Sequence, residues 1–282
     1  MSTSGVTGRG RGGLARSVEP PPAPGRGRGR GIIDENDLIA PGLGSLNING
    51  GNLNGYKEDA STALETVTSR PKNEAEVKSV LGKWLDMAST NEDIGEAVST
   101  SVCKLMPHAV YGDLIRETVL GRIFEMFKVC QEQKTKSPST LATQLSFIGY
   151  MYLIQRAPGT HKRLEFYVSP MLVFIKEILK HRLSEDVVKL LTKQIAINGI
   201  ALHANTDGQK ELSNVMLSVR HLLLSEGTQS TIRSYLLFLC DLQAAEYRAV
   251  SDTLVKFYSQ HIPRSLLDSC KPLEIDVKLY MK

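Results

Sequence analysis

The chain has 282 residues, of which 41% are hydrophobic and 23% charged, and a formal net charge of +4, enough for one large domain or two small ones. That charge is unevenly placed: residues 1–31 carry Arg9, Arg11, Arg16, Arg26, Arg28 and Arg30 against the single acid Glu19, so the remainder sums to −1. With no apolar run approaching the ~18 residues that span a bilayer, no apolar signal core at Met1–Gly5 and four cysteines without a C-x-x-C pair, a transmembrane protein, a secreted one and a disulfide scaffold are all excluded as expectations.

In chain order, Arg9–Gly13 and Gly25–Gly31 are Arg-Gly blocks separated by Pro20-Pro21-Pro22-Ala23-Pro24. Such a composition cannot bury enough surface to offset its chain entropy, so residues 1–70 are expected to form a disordered Arg/Gly-rich tail and linker. Ile32–Ile39 is short, acidic and apolar, and reads as part of that linker.

From Asn73 the pattern becomes helical. Val77, Val80, Leu81, Trp84, Leu85 and Ala88 recur at offsets that share one helix face, with Asn73 as the cap. Ile94–Leu105 repeats this behind a cap at Thr90, and a longer segment follows from Tyr111 to about Gln133. Ser137-Pro138 opens a helix as cap and first-turn proline, which ends before Ala157-Pro158-Gly159. His161–Arg182 is the fifth segment, Ser184 caps the sixth, and Thr206 with Gln209 forms a capping box for the next. Gly227-Thr228 ends that helix and starts another, and a last one is expected from Ala245 to His261. Residues 264–282 give no clear pattern. Leu141–Ile154 and Met171–Leu179 are apolar nearly all round, as a helix covered on several sides must be. An all-α solenoid of about five antiparallel HEAT-like pairs over residues 71–262 is the architecture these patterns favour, with residues 263–282 as a C-terminal extension.

The residues for chemistry are sparse. His108, His161, His181, His203, His221 and His261 lack ligand-spaced partners, and no G-x-S-x-G elbow, Walker lysine loop or kinase motif occurs. Neither an enzyme nor a metal or cofactor site is expected. The six tail arginines offer planar donor forks for phosphate on a flexible chain, which suits weak, sequence-tolerant RNA binding. The alternative is a tail that only keeps the protein soluble. Tyr167, Leu172 and Val173 match the Tyr-x4-Leu-apolar pattern that grips the cap-binding protein, although core packing explains Leu172 and Val173 without a partner.

Gly121-Arg122-Ile123-Phe124-Glu125-Met126-Phe127, leading to Thr143–Tyr152 with its Phe147-Ile148-Gly149-Tyr150, resembles the second helical pair of the middle domain of initiation factor 4G. Tyr235–Arg248 is similar to the close of that domain's last pair, with Gln243 where Arg is usual and Tyr247 nearer than the family's Trp. The resemblance spans about residues 71–262 and extends to the small single-domain members: poly(A)-binding-protein-interacting, histone stem-loop-binding-protein-interacting and Mextli-type proteins. It implies five HEAT-like pairs, no catalysis, and partners among the DEAD-box helicase of initiation, cap- or poly(A)-binding proteins and RNA. The expectation is a translation adaptor of the cytoplasm, with the nucleus as a second compartment. An armadillo-type adaptor in transport or signalling is the runner-up.

Overall fold

The computed structural model describes residues 74–132, 137–157, 160, 162–248 and 250–269. The expected tail, its six arginines and the Asn73 cap lie outside these residues. Among the described residues there are ten α-helices and no strand: α1 Glu74–Ala88, α2 Glu92–Leu105, α3 Gly112–Gln131, α4 Pro138–Ile154, α5 Val168–Ile178, α6 Glu185–Ala204, α7 Thr206–Leu224, α8 Ser230–Ala244, α9 Asp252–Tyr258 and α10 Arg264–Ser269. A 3₁₀ turn, Glu165–Tyr167, leads into α5.

Packing follows chain order. The helices α1, α3, α5 and α7 each meet the next in that series, as do α2, α4, α6 and α8. Successive helices also pack closely at α1–α2, α4–α5, α6–α7 and α7–α8. Connections of a few residues cannot carry the chain far, so each helix must find its partners nearby. Helix α4 lies at the centre, touched by α1, α2, α3, α5 and α6. From Leu141 to Ile154 only Thr143 escapes burial, which accounts for the uniformly apolar sequence there.

Polar groups hold α4 against its neighbours. Gln194 Nε2 donates to Ser146 Oγ at 3.1 Å, and Asn198 Nδ2 donates to the Gly149 carbonyl at 3.2 Å. Gly149 makes this approach feasible, because an added methyl would overlap the Gln194 amide. On the α2 side the Ser99 hydroxyl, bonded to the Gly95 carbonyl of its own helix at 2.7 Å, also approaches the Phe147 carbonyl of α4 at 3.5 Å. Lys193 of α6 reaches past α4 to Glu92 of α2 at 2.8 Å and lies over the Tyr150 ring at 5.3 Å.

Several expected helix ends move. The α2 cap is Asn91, whose side chain accepts from Asp93 N and Ile94 N, while the Thr90 hydroxyl bonds back to the Met87 carbonyl. The α7 cap is Asn205, accepting from Gly208 N at 2.9 Å, so Thr206 is the first helical residue. Thr228 caps nothing: its hydroxyl donates to the Leu222 carbonyl, and α8 starts at Ser230. Ser137 and Ser184 do cap α4 and α6, accepting from Thr140 N and Val187 N. The helix expected from Ala245 is replaced by a turn in which Glu246 and Tyr247 have φ of 52° and 60°; α9 begins only at Asp252, capped by Ser251. From Arg264 to Ser269 the chain is still helical: Leu266 and Leu267 of α10 are buried and α10 contacts α6, while the rest of the expected extension, residues 270–282, lies outside the described residues.

Candidate functional site

The side chains suited to chemistry are spread out and engaged locally. His108 Nδ1 accepts from the Val110 and Tyr111 amides at 3.2 Å, which shapes the turn before α3. His181 lies 3.8 Å from Glu177, and the His203 ring sits beside Tyr247. Burial pushes the Cys103 thiol up to about 12, the opposite of the shift a nucleophilic thiolate needs. Among the described residues no three of His, Cys, Asp and Glu gather at metal-binding distance. No helix there is long and apolar enough to cross a membrane.

Tyr167, Leu172 and Val173 do not share a surface. Tyr167 is fully buried, its hydroxyl donates to Gln155 Oε1, and its ring packs on Tyr152 and Phe166. Leu172 is buried as well, and core packing accounts for both. Val173, half-buried, lines a groove with Leu172, Ser169, Lys176 and the α7 residues Asp207 and Glu211. Lys176 pairs with Glu211 across that groove and holds the carboxyl below its ordinary value. A partner docking here would meet acid, lysine and valine, with the tyrosine out of reach.

A different cluster forms where α4 ends and α5 begins. Arg156 and Arg163 pair through an antiparallel backbone bridge, reinforced by Ala157 N donating to the Lys162 carbonyl at 2.9 Å. Arg156 Nη1 donates to the Leu153 and Gln155 carbonyls at 2.6 and 3.1 Å. Arg163 Nη1 donates to Asn198 Oδ1 at 2.7 Å, and its guanidinium lies 5.1 Å from the Tyr152 ring centroid. Burial first, and the charge of Arg156 second, pull Arg163 down to about 10; it stays charged at neutral pH. Phe166 is 45% exposed, with its ring centroid 4.0 Å from that of Tyr167. The Phe166, Tyr167 and Tyr152 rings thus make a continuous run ending at Arg163.

Sequence reasoning placed the start of the fifth helix at His161 and so missed this cluster. The available signal was the Pro158-Gly159 break between Arg156 and Arg163, which suits a chain reversal.

No family model matches the chain, and no curated protein matches it. The segments that carry the resemblance to the initiation factor 4G middle domain fall on α3 and α4, which are consecutive, and on α8 with the turn that follows.

Proposed function

We propose that this protein is a non-catalytic adaptor in mRNA translation or its regulation. Its helical domain is read as a HEAT-like solenoid of about five pairs that binds initiation-factor or messenger-ribonucleoprotein components, with the Arg-Gly tail holding RNA weakly. The order of helix contacts carries this reading: the strong contacts join each helix to the next or the next but one, as stacked pairs require. The resemblance at α3–α4 and α8 supplies the translation assignment, and makes the DEAD-box helicase of initiation, then the cap- and poly(A)-binding proteins, the first candidates. The six tail arginines supply the RNA arm through phosphate contacts that weaken with salt.

The full chain, immobilised and exposed to a nuclease-treated lysate, tests the partner assignment. Retention of a translation initiation protein supports it, since a protein–protein contact needs no RNA. Retention of transport or signalling proteins alone would sink it and promote the armadillo-type adaptor reading. Trp84, the chain's one tryptophan, is buried on α1 and cannot serve a surface tryptophan ladder of the kind an import groove uses.

A further inference from the structure

The outer face of α3 is open and partly apolar. Leu120 and Phe124, one turn apart, are 37% and 65% exposed, and Phe127 in the next turn is half-buried. Phe124 is the most exposed aromatic side chain among the described residues. Next to this ridge a groove runs between α1 and α3, and Gly82 of α1 and Gly121 of α3 both line it. Glycine inside a helix weakens it, so its presence there needs a reason. The other five helical glycines among the described residues have one: a methyl group at Gly95, Gly112, Gly149, Gly199 or Gly208 would come to 3.2 Å or closer to another part of the domain. At Gly82 and Gly121 it would meet nothing within 4 Å. These two glycines keep open a space that the domain itself does not fill.

We propose that the ridge of Leu120 and Phe124, with the α1–α3 groove beside it, docks a basic amphipathic helix of a partner protein. Charge selects this occupant. Three carboxylates, Asp86, Glu117 and Glu125, line the groove against the single cation Arg122, which pairs with Asp86 and, at 3.2 Å, with Glu125. Glu117 is exposed and has no cation of its own, since the neighbouring Arg116 is taken by Asp113. Lys83 follows Gly82 on α1 but is not part of the lining. A helix laid along the groove sets its apolar residues on Leu120 and Phe124 and its lysines or arginines on Glu117 and the acids around it. The two glycines let its backbone come close. An exposed aromatic anchor supplies affinity and the unmatched acid supplies choice of partner. Nucleic acid is repelled by the same carboxylates. The groove deepens the proposed adaptor function, and rests on it only for the partner's place in translation.

The test uses the full chain and a fluorescent, end-capped peptide of Leu, Lys and Ala, about 18 residues long so that it can hold a helix. Its leucines share one helix face and its lysines flank them, and affinity is measured by anisotropy across a salt series. Phe124→Ala is expected to weaken binding about tenfold. Glu117→Gln should weaken it about threefold and make it less sensitive to salt. Gly121→Gln fills the groove and should weaken binding by more than about tenfold, while the better helix former raises the thermal midpoint by about 2 °C. A variant that is more stable and yet binds less separates docking from folding.

No binding by the wild type overturns the site, as does unchanged affinity in Phe124→Ala and Gly121→Gln. A peptide of the same pattern with Glu in place of Lys also overturns it if it binds as tightly, because charge would then not select the occupant. A lower midpoint in Gly121→Gln would show that the glycine serves the fold, and would count against the groove. Sedimentation of the full chain addresses a second copy: wild-type dimers that Phe124→Ala disperses would assign the ridge to self-association instead. A lysate capture that finds no translation protein removes the adaptor assignment and leaves the peptide result standing, whereas a failed peptide removes the groove and leaves that assignment to the lysate.

Discussion

Gly199 and Tyr247 illustrate how single residues lock this domain. Tyr247 is held in the left-handed region at φ 60°, its amide donates to the Leu242 carbonyl at 2.6 Å, and its ring faces Gly199. A methyl added at Gly199 would lie 2.5 Å from that ring, so Gly199→Ala is expected to cost about 2 kcal/mol in urea unfolding. Cys103 makes a second prediction at this scale. Its folded value of about 12 lies above the ordinary 9.0, so the folded state holds the thiol proton more tightly. That contribution is complete below pH 9 and is lost as pH rises toward 12, at up to ~1.4 kcal/mol per pH unit. Wild-type stability should therefore fall more steeply above pH 9 than that of Cys103→Ala; parallel slopes would show that Cys103 is not responsible.

The helix elements show what amphipathic spacing specifies and where it stops. Apolar periodicity fixes the buried face, and the faces of α1, α2 and α3 fall where the spacing puts them. It does not fix the first residue of a helix, so neighbouring cap formers compete: Asn91 takes the cap from Thr90, and Asn205 from Thr206. In both places the amide side chain reaches the free first-turn N–H groups, which is the property that makes Asn a strong cap. Asn91→Ala and Asn205→Ala are each expected to cost ~1 kcal/mol of stability, while Thr206→Ala should cost much less; an equal loss at Thr206 would restore the capping box. The late start of α5 has a local cause, since the Arg156↔Arg163 bridge and then the 3₁₀ turn Glu165–Tyr167 take up the residues before Val168. The pairing of two arginines seven positions apart depends on that bridge; the Pro158-Gly159 break between them suits a chain reversal, but helical periodicity says nothing of it.

At the scale of the whole molecule, helices α1 to α8 account for the central packing, but their stability depends on what closes the α6 side. Spacing alone ended the domain near residue 262, because Pro263 stops one helix and the residues after it are too few to show a period. In the structure Leu266 and Leu267 are 2% and 1% exposed, and α10 packs on α6, the helix that also holds α4 through Gln194 and Asn198. Burying a leucine side chain is worth roughly 1.5–3 kcal/mol, so losing both removes ~3–6 kcal/mol, a large share of the ~5–15 kcal/mol that keeps a domain folded. Chains ending at residues 262 and 269 should therefore differ by several kcal/mol in chemical denaturation, or the shorter one should not fold. Leu267→Ala in the full chain should reproduce part of the loss, at ~2–5 kcal/mol. Equal stability of the two truncations, together with a neutral Leu267→Ala, would show that α10 lies on the domain without supporting it.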